Sequence, residues 1–181
     1  MGTVRFHHLA VPALALALLV PGAAQASPGC PGAGAATASA ARLQKEMLCL
    51  HNSERRAHGL SRMRWNGTLA RVAARYSRTM VRRHFFDHHS PDHRDHMDRI
   101  AATGYRPGAG CWTAGENLFF SAGISSPRRL IKTWMASAVH RATILHGGWR
   151  DFALGVSYGS PYGGRGMTVV ALFGLRSKRG C

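Results

Sequence analysis

The chain has 181 residues, enough for one domain and too few for two of ordinary size. Lys and Arg number 24 against 8 Asp and Glu, a formal charge of +16, and 45% of the residues are hydrophobic. A packed core is within reach, so a disordered basic tail does not describe the sequence as a whole.

Residues 1–26 begin with Arg5, His7 and His8, run through an apolar stretch over 9–20 and end in Ala24-Gln25-Ala26. Charge, apolar stretch and a small-x-small site in that order form a secretory signal peptide, with cleavage expected after Ala26. Pro12 interrupts the apolar run, which falls short of the roughly 20 residues a membrane span needs. No transmembrane segment is expected, and the protein is expected outside the cell, secreted or held at the cell wall. In that oxidising setting Cys30, Cys49, Cys111 and Cys181 are expected to form two disulfides. Of the three connectivities, Cys30–Cys49 with Cys111–Cys181 is preferred. The first ties an N-terminal arm to the first helix, and the second pins the C-terminus to a central loop.

Residues 27–39 are rich in Pro, Gly, Ala and Ser and read as a flexible leader, leaving 40–181 as the domain. A helix is expected from about Ala40, because Leu43, Met47 and Leu50 recur at spacings of four and three; Gly59 ends it. Asn66-Gly67-Thr68 offers a turn and an N-cap. The helix that follows carries Leu69, Val72, Ala73, Tyr76 and Met80 on one face and Arg71, Arg75, Arg78 and Arg82 on the other. Residues 84–98 are polar and His-rich, a loop leading into a short helix from about His96 to Ala102. Gly104 and residues 107–110 make another loop, and 118–120 suits a strand. Ser126-Pro127 opens a third long helix, with Leu130, Ile131, Trp134, Met135 and Ala138 on its apolar face. Strands are expected over 152–158 and 167–174, joined as an antiparallel hairpin. Helices first, then a small antiparallel sheet with a helix inserted, define an α+β fold.

Gly155-Val156-Ser157-Tyr158-Gly159 matches the G-x-S-x-G nucleophile pattern, but that chemistry needs a strand, a sharp turn and a helix. No Asp, Glu or His follows Ser157, so the acid and base of such a triad are missing. The H-E-x-x-H zinc motif, a P-loop and a dinucleotide fingerprint are also absent. Five histidines fall between His84 and His96, where a polar surface loop is the plainer reading. Glu116 is the sole acid between Asp98 and Asp151, just before the apolar strand. A charge there is either at the surface or held by a partner. With His88 and His140 it would supply two imidazoles and a carboxylate, the donor set of an open zinc site with a position for water. Spacing leaves open whether the three meet. The positive charge attracts polyanions such as wall polymers or anionic lipid heads. No specific nucleic-acid partner is expected, since no such motif is present and the aromatic residues sit at core positions.

The motifs form a known series. Leu50-His51-Asn52-Ser53-Glu54-Arg55 with Gly59-Leu60, Met63 and Trp65 resembles an N-x-x-R…G-L-x-x-L-x-W opening. Phe86-Asp87-His88-His89-Ser90-Pro91-Asp92 resembles F-S-H-x-S-P-D, and Asp98-Arg99-Ile100 with Gly104-Tyr105 resembles D-R-I…G-Y. Gly115-Glu116-Asn117 is G-E-N, and residues 134–145 resemble W-M-x-S-P-G-H-R-x-N-I-L. In this order, from Leu48 to Leu175, they resemble the CAP superfamily of cysteine-rich secretory proteins, venom antigens and pathogenesis-related proteins, most of all its short bacterial secreted branch.

The resemblance implies an α-β-α sandwich around an antiparallel sheet, with a central cavity whose His/Glu tetrad binds a divalent metal in some members. His88, Glu116 and His140 take three of its places, with zinc the metal to expect. The tetrad's second Glu has no counterpart, because residues 117–139 contain no acid. Asn117 is expected to bond backbone across the cavity, and Arg141 to pair with a nearby acid. Family members include lipid and sterol binders, toxin modules and a few proteases. The expected function is a secreted module binding a lipid or cell-wall component. The alternatives are a metal-dependent hydrolase, with water held by His88 and His140 and Glu116 as base or ligand, and a non-specific polyanion binder.

Overall fold

The computed structural model describes residues 29–107 and 110–177. The leader peptide read over 1–26 and Cys181, the expected partner of Cys111, lie outside the described residues. Among the described residues five helices and four strands follow one another as α1 (Ala40–Ala57), β1 (Arg64–Trp65), α2 (Gly67–Arg83), α3 (His96–Ala101), β2 (Cys111–Ser121), α4 (Pro127–Ala136), α5 (Ala138–Leu145), β3 (Asp151–Ser157) and β4 (Met167–Ser177). The sheet order is β1-β3-β4-β2. β2 and β3 both pair antiparallel with β4, while the two-residue β1 joins the edge of β3 in parallel.

Capping residues set the helix starts. Ser39, Asn66 and Ser126 each accept from backbone N–H groups of the first turn that follows, and Pro127 sits inside the first turn of α4. Asp95 and Asp98 form a reciprocal capping box on α3.

Period-two alternation sorts the strands into two cores. Phe152, Leu154, Val169, Ala171, Phe173 and Phe119 face α1, α4 and α5, where Leu43, Met47, Leu50, Leu130, Trp134 and Ile144 meet them. Ala153, Val170, Leu172 and Leu118 face the other way, onto Leu69, Val72, Ala73, Tyr76 and Met80 of α2 and Ile100 of α3. The result is an α-β-α sandwich of α+β class.

Three local features depart from the sequence expectations. β2 extends well beyond 118–120, because its whole length pairs with β4 in unbroken register from Cys111↔Ser177 to Ser121↔Met167. The third long helix breaks at Ser137, whose extended backbone ends α4 and starts α5; Val139 is consequently 76% exposed. Part of the stretch read as a leader is packed: Cys30 and Ala33 are buried, Arg128 N–H donates to the Ala33 carbonyl, and Cys30 is disulfide-bonded to Cys49. The G-x-S-x-G match runs off the end of β3, whose last residue, Ser157, is paired to Thr168, and a hairpin rather than a helix follows.

Two buried polar groups brace this frame. Asp151, fully buried, accepts from Arg64 of β1, Arg176 of β4 and the Tyr105 hydroxyl. His51 is fully buried on α1 against Trp134, Phe152 and Phe173. Its Nδ1–H donates to the Met47 carbonyl at 2.7 Å, and its Nε2 has no partner.

Burial lowers the His51 pKa to about 4 from the usual 6.5. The neutral ring therefore contributes stability that is complete above pH 6.5 and is lost as pH falls through 4. The loss is on the order of 3 kcal/mol. Urea unfolding of the wild type and His51→Leu at pH 7, 5.5 and 4 is expected to show a shallower acid loss in the variant. Parallel pH dependence in the two proteins would contradict this role.

Candidate functional site

β2 carries the site because its two faces serve the two layers. Gly115 and Asn117 point toward α5: a Cβ at Gly115 would press on Trp149 and Thr143, and Asn117 Nδ2 donates to the His140 carbonyl at 3.1 Å. Glu116 points the opposite way, beneath α3 and the loop after α2. Its side chain is 1% exposed. An ionised carboxylate that deep is costly unless it is paired and hydrogen-bonded.

Two partners close it. His88 Nδ1–H donates to Oε1 at 2.8 Å and Arg99 Nη2–H donates to Oε2 at 2.7 Å. The Arg99 guanidinium lies 3.4 Å over the Tyr76 ring centroid, a cation–π contact, and its Nη1 donates to the carbonyls of His88 and Arg94. Arg99 thus ties α3, α2 and the His-rich loop to one carboxylate. The Glu116 hydrogen bond raises the His88 pKa against the opposing effect of burial.

His140 stands apart from this pair. Its Nδ1 bonds the Ser137 hydroxyl at 2.8 Å, which explains why Ser137 makes no side-chain cap to α5. Burial lowers the His140 pKa, and the charge on His88 lowers it further. The two imidazoles therefore share a field, while only His88 touches Glu116. The acid expected to pair with Arg141 is not found beside it among the described residues; Arg141 is exposed and donates to the Met135 carbonyl at 3.3 Å. The residues that sequence reasoning missed are Arg99, Tyr76 and Ser137. The signal for a cation was available: a lone acid before a buried strand needs a positive partner.

Glu116 as it stands does not fit as a ligand of a divalent metal. Both Glu116 oxygens are engaged, one by a fixed guanidinium, and a second cation on the same carboxylate would meet that charge directly. Among the described residues no three His, Cys, Asp or Glu side chains are arranged to hold a metal ion.

The opposite signs of the two histidine shifts are measurable. In a proton–nitrogen NMR titration, His88 is expected to titrate above the usual 6.5 and His140 below it. His88 contributes its ion pair fully below pH 6.5 and loses it as pH rises through its elevated folded pKa. In Glu116→Gln its midpoint should fall. An unchanged midpoint would mean that the pair does not form in solution.

Beside the pair opens a cleft of about 920 Å³ between α2 and the segment from Ser90 to Thr103. Arg71, Arg75, Arg78 and Arg83 line it from α2, and Arg94 and Arg99 from the opposite wall. Its one acid, Asp92, is bound to Arg94 at 2.7 Å.

The fold and motif order now coincide with a family. The model of the cysteine-rich secretory protein family, CAP, matches residues 48–173, and the chain belongs to it. The Bacillus subtilis protein YkwD is 31% identical over 122 residues, covering 66% of this chain and 44% of YkwD. The Bacillus subtilis membrane protein YlbC is 28% identical over 113 residues, 62% of this chain and 31% of YlbC. The chain thus spans less than half the length of either relative. Among solved structures, an extracellular SCP-domain protein of Bacillus anthracis superposes with a TM-score of 0.60 at 24% identity, covering 75% of this chain and 40% of that one. An outer surface protein of Borrelia burgdorferi gives 0.62 at 18% identity, covering 74% and 92%. At these identities the likeness speaks for the fold.

Proposed function

We propose that this chain works outside the cell as a binding module for an anionic component of its surroundings, a lipid or a cell-wall polymer, and not as a hydrolase. The observation that carries the reading is the state of Glu116. Its carboxylate is 1% exposed and both its oxygens are engaged, by His88 and Arg99, which disfavours it as a free general base or metal ligand. A general base needs both reach and a place for the proton's donor. The basic cleft alongside, with a formal charge of +16 over the whole chain, supports an anionic ligand. The Cys30–Cys49 disulfide fits an oxidising location, and no described helix is long and apolar enough to cross a membrane.

Co-sedimentation of the oxidised protein with isolated wall material and with anionic vesicles tests this. Association at low salt that is lost at high salt is expected. Association insensitive to salt, or hydrolysis of a peptide, ester or wall substrate abolished by His88→Ala, would overturn the reading.

A further inference from the structure

We propose that the cleft along α2 is a binding site for a linear polyol-phosphate chain, whose successive phosphodiesters seat on the α2 arginines. The proposal rests on the binding reading above and names its site and ligand class.

Arg71, Arg75 and Arg78 are all exposed and recur at spacings of four and three, so they form one row along the helix. A rise of 1.5 Å per residue places neighbouring guanidinium stems about 4.5–6 Å apart along the axis. That step is of the size by which phosphates recur in an extended chain of short polyols. Arg83 continues the lining at the C-terminal end of α2, and Arg94 faces the row from the opposite wall. Guanidinium groups bind phosphate through paired N–H donors, the geometry that distinguishes them from a diffuse positive surface.

The shape of the cleft selects among anionic polymers. The α2 arginines form one wall, and Arg94 and Arg99, paired with Asp92 and Glu116, stand on the other; a cleft with two walls suits a chain lying between them better than the plane of a membrane. Between the arginines the lining is Ala70, Ala74 and Ala102, small apolar surface against which the methylenes and carbons of a polyol can lie. A nucleic acid would need stacking platforms for its bases. The only aromatic side chain in the lining, Tyr76, is 2% exposed and has Arg99 over its ring. A base-free phosphodiester chain is therefore the occupant that the walls and floor accommodate.

The row is also independent of the Glu116 pair. Arg99 is already spent on that carboxylate, whereas the described structure gives the Arg75 and Arg78 side chains no acidic partner within ion-pair distance. Neutralising Arg75 and Arg78 removes cleft charge without touching the buried ion pair.

The test is fluorescence anisotropy with labelled poly(glycerol phosphate) oligomers on the oxidised protein. Wild type is compared with Arg75→Gln/Arg78→Gln and with Arg129→Gln/Lys132→Gln. The control pair lies exposed on α4, in the other helical layer, and removes the same net charge. The cleft variant is expected to lose tenfold or more in affinity and to show a shallower salt dependence, with the control within about twofold of wild type. Equal losses in both variants would overturn the cleft as the site while leaving an anionic ligand in place. Oligothymidylate of the same phosphate number binding as tightly, or binding confined to phosphatidylglycerol vesicles, would overturn the polyol-phosphate assignment. Failure of every anionic probe, wall material included, would overturn the binding reading as well.

Discussion

Gly155→Ala is expected to be the most disruptive glycine-to-alanine change among the described residues. Gly155 lies in β3 on the face that meets α2. A Cβ there would collide with the backbone carbonyl of Ala73 and the backbone nitrogen of Ala74. These are main-chain atoms in the middle of a 17-residue helix, so no rotamer change relieves the clash. The helix would have to lift from the sheet. That would open the core formed by Leu69, Val72, Ala73, Tyr76 and Met80 against Ala153, Val170 and Leu172. Overpacking of a side-chain core costs about 1–3 kcal/mol, and a clash with helix backbone lies at or above the top of that range. Against a total stability of about 5–15 kcal/mol this is a large share. Urea unfolding beside Gly123→Ala makes the measurement, since a Cβ at Gly123 meets nothing within 4 Å. Loss of more than about 3 kcal/mol, or failure to fold, is expected for Gly155→Ala, with the control near wild type. A difference below about 1 kcal/mol would contradict the close approach of α2 to β3.

The second large effect belongs to Arg55. It is fully buried on α1, and its guanidinium donates to backbone carbonyls. Nε donates to Ser61, Nη1 to Ile144 and His146, and Nη2 to Trp149. Burial lowers its pKa, and the charge of Arg150 lowers it further. The arrangement is tolerable because the carbonyls of Ile144 and His146 are the negative end of α5, which a cation stabilises. α5 needs that support. Ser137 gives it no side-chain cap, and Ile144 is its one buried residue. Arg55→Leu would leave several carbonyls unpaired and is expected to cost about 3–5 kcal/mol. Arg55→Lys is expected to recover only part of this, because one ammonium cannot span the fork of acceptors. Hydrogen exchange should quicken first over α5 and residues 146–149, while β3 and β4 stay protected. Uniform loss of protection would mean that Arg55 supports the whole fold equally.

Arg55 also shows what the motif series left unread. Asn52 and Arg55 were legible as parts of an ordered pattern, but not as structural clasps. Asn52 exchanges hydrogen bonds with the Met63 backbone, and Arg55 gathers carbonyls far ahead in the chain. α2 was legible throughout, because its apolar residues and its arginines follow one helical period. The break at Ser137 was not, because Ala136, Ala138 and Val139 prolong an apolar pattern across it. The two-residue β1 carries no periodic signal at all and exists through pairing with β3. At the site, His88 and Glu116 were readable as a pair to be tested. Arg99 was hidden in a motif whose chemistry lies in what it faces rather than in its spacing. His140 was placed in the same ring by motif; its Nδ1 bonds Ser137, and it feels the charge on His88 without touching Glu116.

The claim on which the functional account turns is that Arg99 and His88 close Glu116, leaving a binding module instead of a metal-dependent hydrolase. Calorimetric titration of zinc into the oxidised protein, beside His88→Ala/His140→Ala, addresses it most directly. The account predicts no saturable 1:1 binding that depends on these two histidines; weak uptake by the exposed histidines of the 84–96 loop should be the same in both proteins. Saturable 1:1 binding in the wild type that disappears in a folded double variant would contradict it.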